Sequence, residues 1–170
     1  SDASKTATAV SCAAHGPNFN ICKTMNLHSS IFTAEAYGVL LVLNHIIQHE
    51  IPKSIVYTAS LSVVRALSSG KSSKNYVINI FFKTIMSAYA SNLEVIVCWV
   101  PGHCGIAGNE LAEESAVAAA LTNTVDITTL PYTDLKPHIR QQLRKTWQAQ
   151  WSEQTDNKLH LIKPILGRYT

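Results

Sequence analysis

The acidic residues Asp2, Glu35 and Glu113, together with His103 in a glycine-rich loop, are the parts of this chain best suited to chemistry. The stretch Trp99-Val100-Pro101-Gly102-His103-Cys104-Gly105-Ile106-Ala107-Gly108-Asn109-Glu110-Leu111-Ala112-Glu113 joins a strand end, a loop bearing one histidine, and a helix that starts by presenting carboxylates. Hard divalent cations take oxygen ligands, typically one or two carboxylates each plus substrate phosphate oxygens. Three or four converging acids can therefore hold a pair of ions about 4 Å apart that activates a water and shields a leaving oxygen. That is a layout for cutting phosphodiesters. Any one of these acids taken alone would read as a solvated residue favoured near a helix N-terminus by the dipole.

The elements that must bring these residues together are set by local pattern. Residues 6–15 and 18–27 are strand-like runs separated by the turn signal Gly16-Pro17, and form a hairpin. Ser30 to about His49 has a wide apolar face at helical spacing, with Ser30 as N-cap and Pro52 closing it. Ser54–Thr58 is a short β-branched strand, Ser60 caps a helix through Leu67, and Ser68 to Ser73 is a polar loop. A second amphipathic helix covers about Asn75 to Tyr89. Leu93–Val100 is nearly all apolar, as for a strand buried on both faces, and residues 109–121 form an Ala-rich helix. A hairpin followed by alternating strands and helices predicts an α/β fold with a mixed sheet flanked by helices. Functional groups in such sheets gather at strand C-terminal ends and helix starts, where Asp2, position 59 and the 99–113 segment fall. The predicted organisation is a domain over 1–122, a polar, β-branched linker over 123–131, and a helical, basic tail over 132–170, with Trp147 and Trp151 one turn apart and read as core packing.

Composition bounds the remainder. With 170 residues and 46% hydrophobic content the chain builds one domain with a sizeable core and a short appendage. Charged residues are 15%, against roughly 25% in average proteins, and a net charge of +3 permits a polyanionic partner without demanding one. Cys12, Cys22, Cys98 and Cys104 are scattered, without zinc-ligand spacing, and read as reduced thiols. The apolar runs are shorter than the roughly 20 residues of a bilayer span and no leader is visible, so the expectation is no membrane partner and a cytoplasmic or nuclear location.

The motifs Asp2-Ala3-Ser4-Lys5, Thr33-Ala34-Glu35-Ala36, Tyr57-Thr58-Ala59-Ser60-Leu61-Ser62-Val63-Val64 and Trp99 to Glu113 run in one order along residues 1–120. Through them the chain resembles the ribonuclease H domain of arthropod non-LTR retrotransposon reverse transcriptases. The tail, from Pro131-Tyr132-Thr133-Asp134 to Trp147-Gln148-Ala149-Gln150-Trp151, resembles the segment that comes after that domain. The resemblance implies a five-stranded RNase H-like mixed sheet flanked by helices and two-metal (Mg²⁺ or Mn²⁺) hydrolysis of the RNA strand of an RNA–DNA hybrid. It also implies metal-ligand roles for Asp2, Glu35 and Glu113, and a role for His103 in proton transfer or product release. Asn109 and Glu110 match the turn before the last acid, where Asn can cap the helix.

Three departures from the family pattern stand out. Ala59 occupies the place of an Asp ligand, and a methyl group cannot hold a metal. Glu113 adds a methylene where Asp is usual, in a site intolerant of misplacement. Metal charge stabilisation is worth several kcal/mol, so a loss of about a thousandfold or more is expected and this copy should be crippled or dead. Only Ser1 precedes Asp2, so the first strand reads as missing or trimmed, with Asp2 at a frayed end. Lys5, Ser60, Lys71, Lys74 and Asn109 are candidate nucleic-acid contacts, with Arg140, Arg144 and Lys145 on the tail helix. The alternative is a non-catalytic interaction or structural module, self-associating, that kept the fold after losing the site. A transposase or integrase relative fits less well, because Glu35 lies in the first helix after the hairpin.

Overall fold

Short runs of small and β-branched residues begin the fold. The computed structural model describes residues 1–122 and 124–167. Strands β1 (Asp2–Lys5), β2 (Val10–Gly16) and β3 (Phe19–Met25) form an antiparallel sheet in that order, with Asp2 opposite Ala13 and Val10 opposite Met25. Pro17-Asn18 makes the tight β2–β3 connection, where Gly16 faces Phe19; a Cβ on Gly16 would sit 2.1 Å from the Phe19 ring. β2 is central and therefore buried, with Val10, Cys12, Ala13 and Ala14 fully sequestered.

Helix α1 (Ile31–Gln48) packs on this sheet. Ser30 caps it by accepting from the Thr33 amide, and Asp134 steadies the cap by accepting from both the Ser30 amide (2.8 Å) and its hydroxyl (3.0 Å). By length and composition α1 would pass for a bilayer span. Here its face carrying Val39, Leu40, Leu43 and Ile46 is the centre of the core instead.

Strand β4 (Lys53–Thr58) pairs in parallel with β5 (Glu94–Trp99), joined by a crossover through α2 (Leu61–Ser68) and α3 (Tyr76–Ala90). Asn75 caps α3 through the Val77 amide, and its side-chain amide also donates to Thr33 Oγ1 at 2.7 Å, tying α3 to the start of α1. Helix α4 (Ala107–Ala120) presents Ala112, Ala116 and Ala119 to the first sheet, and the buried Ser11 hydroxyl donates to the Ala116 carbonyl at 2.6 Å. Small side chains let this helix lie close to the sheet.

Several expectations are modified. The strand before the hairpin is short rather than absent, and Asp2 is buried at its start instead of fraying. The two sheets are separate ladders rather than one five-stranded sheet, because β1 starts level with the end of β4. The Ser1 nitrogen (2.7 Å) and hydroxyl (3.4 Å) both donate to the Tyr57 carbonyl across the gap. β5 is not buried on both faces: Glu94, Ile96 and Trp99 are exposed on the rim of the β4–β5 pair. The polar segment read as a linker is tied to β3: Asp126 accepts from the Thr24 amide at 2.8 Å and from its hydroxyl at 2.9 Å, and Ile127 bridges Met25.

Two compact units divide the chain, Ser1–Asp134 and the residues from Leu135 on. Helix α5 (Tyr132–Ser152) begins in the first and continues through the second, which also holds α6 (Lys158–Ile162). Within the second unit the Trp151 indole donates to the Lys163 carbonyl at 2.7 Å. Trp147, expected in a core, is 63% exposed. Residues 168–170 of the predicted tail, and Asn123 of the predicted linker, lie outside the described residues.

Candidate active site

Asp2 and Glu35 meet because the first residue pair of the β1–β2 ladder lies under the N-terminal half of α1. Gly38, one turn after Glu35, permits the approach: a Cβ there would lie 3.4 Å from the Asp2 and Ala13 carbonyl oxygens and from the Ser1 side chain. Both acids are buried, at 8% and 9% exposure. Asp2 Oδ1 accepts from the Ala3 amide at 2.8 Å and Oδ2 from the Asn109 side-chain amide at 3.4 Å. Burial first, and then the adjacent Asp2 charge and hydrogen bond, push the Glu35 carboxyl up to about 8. One Glu35 oxygen, Oε2, is buried with no hydrogen-bond partner, as is Oδ1 of Asn109. Orphaned buried oxygens of this kind mark a place prepared for a group that supplies charge or donors.

The second cluster is at the ends of β4 and β5. The Trp99 indole donates to the Ala59 carbonyl at 3.1 Å, and the Val100 amide to the Thr58 carbonyl at 3.0 Å, so the two strand ends are locked side by side. Gly102 passes close over position 59; a Cβ on it would lie 3.5 Å from the Ala59 methyl. His103 adopts a left-handed backbone (φ 55°) in the loop that leads to α4, and the Gly105 amide donates to Glu110 Oε1 at 2.9 Å, closing that loop on the helix start. His103 Nδ1 lies 3.0 Å from Glu113 Oε2, with the imidazole 79% exposed.

The expected carboxylate cluster is therefore divided. Asp2 and Glu35 are together, and Glu113 is engaged by His103. Among the described residues no three His, Cys, Asp or Glu side chains gather closely enough to hold a metal ion. Asn109 is neither a helix cap, since Ile106 takes that place, nor a surface contact: it is 4% exposed and directed at Asp2. Lys5 is exposed, and its ammonium donates to the Ser29 carbonyl. The Ser60 hydroxyl lies 3.1 Å from that of Ser62. Lys71 and Lys74 are exposed on the loop before α3. The part played by Trp99 was not evident from the sequence, although an indole at a strand end beside a polar junction is a signal for such a lock.

The reverse transcriptase-like family matches residues 2–115, about two thirds of the chain and all of both clusters. The chain belongs to the reverse transcriptase-like family. Two solved structures share its fold. The N-terminal RNase H domain of a Mycobacterium tuberculosis protein, solved as a fusion with maltose binding protein, is 15% identical over 70% of this chain and 91% of its own, with a TM-score of 0.53. RNase H1 of the halophilic archaeon Halobacterium salinarum is 15% identical over 69% of this chain and 92% of its own, with a TM-score of 0.52. No curated protein matches the chain. This member of the reverse transcriptase-like family thus has an RNase H-like fold of strands flanked by helices, with an additional helical segment after it.

Proposed function

We propose that this chain is a ribonuclease H-type domain of a retrotransposon-like reverse transcriptase, directed at the RNA strand of RNA–DNA hybrids, and that this copy cuts poorly or not at all. The observation that carries the reading is the buried Asp2–Glu35 pair with its orphaned Glu35 oxygen. An arthropod non-LTR origin rests on the motif resemblance alone.

The donor set fits half of the metal pair that the family implies. Asp2 and Glu35 suit one hard divalent ion, since Mg²⁺ is commonly held by one or two carboxylates with the rest of its shell from water and phosphate. A second ion does not fit: Ala59 offers only a methyl group and Glu113 is turned to His103. When bound, the ion would supply charge stabilisation to a phosphate oxygen. The chain's own residues orient and protonate. Asn109 holds one oxygen of Asp2, while Glu35 stores a proton that must leave before its carboxylate can bind a cation. His103, on the exposed loop beside Glu113, would serve proton transfer or product release. Lys71 and Lys74 would meet phosphates.

The decisive experiment is cleavage of a labelled RNA–DNA hybrid in Mg²⁺ and Mn²⁺ by the native chain and by the Ala59→Asp/Glu113→Asp double variant. The variant should cut about a thousandfold faster, several kcal/mol of restored charge stabilisation. A double variant that folds and binds hybrid but leaves it intact would remove the hydrolytic reading. It would leave the non-catalytic binding module, which Ala59 already favours.

A further inference from the structure

Charge is divided unevenly between the two units. Residues 1–134 hold seven Lys and Arg against nine Asp and Glu, whereas residues 135–170 hold seven against two. Cations of the first unit are also engaged: Lys23 pairs with Asp126 at 3.4 Å, Lys53 with Glu94 at 3.3 Å, and the Lys5 ammonium donates to the Ser29 carbonyl. On α5 the opposite holds. Lys136, Arg140, Arg144 and Lys145 are exposed, no acidic residue falls between Leu135 and Ser152, and among the described residues none of these four cations is in an ion pair. Lys136, Arg140 and Arg144 recur every fourth residue, so they share one side of the helix in a row that advances about 6 Å per step.

We propose that the row Lys136, Arg140 and Arg144 is a phosphate-holding arm that supplies most of the chain's attraction for the backbone of an RNA–DNA hybrid. The inference rests on the hybrid-directed reading given above, and it assigns the binding to a segment outside residues 2–115, the part that the family match covers. A unit with more carboxylates than cations has no net attraction for a polyanion. The affinity must then come from the other unit. Unpaired cations supply it, because each phosphate neutralised by Lys or Arg releases condensed counterions, whereas a Lys already held by Asp or Glu has less to give. Even spacing along one helix suits a repeating line of phosphates, which positions the nucleic acid without reading its sequence. Contacts carried on one polypeptide also act together, so a strand held at α5 is at a raised effective concentration for the rest of the chain. The other partner suited to a basic row is an acidic amphipathic helix, which would also cover the exposed Leu135, Ile139 and Leu143 beside it. The hybrid is favoured because the same chain buries an acid pair fitted to phosphodiester chemistry.

The test measures binding of the full chain to a labelled RNA–DNA hybrid, without divalent ions, between about 50 and 200 mM salt. It compares the native chain with the row variant Lys136→Gln/Arg140→Gln/Arg144→Gln and the loop variant Lys71→Gln/Lys74→Gln. The row variant should bind about tenfold more weakly or worse at the low-salt end, with its slope of log affinity against log salt shallower by about two to three; the loop variant should lose less. Arg140→Lys/Arg144→Lys keeps the charges and should keep the slope, which separates charge from any change in the helix. An unchanged slope in the row variant, a larger loss in the loop variant, or a native chain that binds no hybrid at low salt would each overturn the proposal. So would polyglutamate that displaces the hybrid at equal charge concentration, the result expected of a surface for an acidic protein. Hydrolysis is read separately: in the Ala59→Asp/Glu113→Asp chain, neutralising the row should raise KM about tenfold at unchanged kcat. If that chain cuts nothing, the hydrolytic reading fails while the binding slopes still decide the row.

Discussion

Glu35 is the residue on which pH acts. Its carboxyl titrates near 8 in the folded protein, because burial and Asp2 disfavour its charge, and near the ordinary value of 4.5 in the unfolded chain. Between those values the native state holds a proton that the unfolded state has lost, so the stability Glu35 contributes is fully present below about 4.5 and is lost as pH rises toward 8. Thermal unfolding at pH 5 and pH 9 should show this fall, and Glu35→Gln, which cannot ionise, should flatten it. Cation binding has the opposite slope: Mn²⁺ affinity measured by calorimetry should strengthen as pH rises to about 8, with proton release on binding. His103 behaves differently. Its pairing with Glu113 is in solvent, where such pairs contribute about 0–1 kcal/mol, so His103→Ala should leave the unfolding midpoint nearly unchanged. Any loss it causes in a cutting Ala59→Asp/Glu113→Asp background then reports on chemistry or product release.

At the scale of elements, the site exists because α1 lies close to the start of β1, and Gly38 allows this. Ala at 38 meets its neighbours at 3.4 Å, a tight contact that small shifts relieve. Gly38→Val places two further carbons in the same contact and should cost about 1–3 kcal/mol by forcing helix and sheet apart. Because the displaced strand carries Asp2, Mn²⁺ affinity should fall with it. Ser11→Ala tests the other face: the buried Ser11 hydroxyl joins β2 to α4 through the Ala116 carbonyl, and its loss should cost about 1–2 kcal/mol in denaturant unfolding, part of it from the carbonyl left unpaired.

For the whole molecule, the segment after the Ala-rich helix sets the boundary of the folding unit. Asp126 and Ile127 bind β3, and Asp134 completes the cap of α1. A chain ending after Asp134 should therefore retain cooperative unfolding, with amide exchange in β1–β3 like that of the full chain. One ending after Thr122 should lose part of that protection and unfold at a lower temperature. The net charge of +3 belongs to a chain with few charged residues, so hybrid binding, if retained, should weaken with salt less steeply than for proteins making 6–10 phosphate contacts.

The features that the sequence determined by itself are local and patterned: the Gly16-Pro17 turn, the capped helix after Ser30, the β4 and β5 segments and the Ala-rich helix all come from residue type and spacing. Only tertiary structure decided which acids meet. Glu113 shares the motif with His103 and pairs with it, whereas Asp2 and Glu35, separated along the chain, are brought together by helix-on-sheet packing. The burial of Asn109 against Asp2, the exposure of Trp147 and the split between the sheets are of the same kind. Each depends on contacts between distant segments, and a local hydrophobic period specifies which face of an element is apolar but not what packs against it.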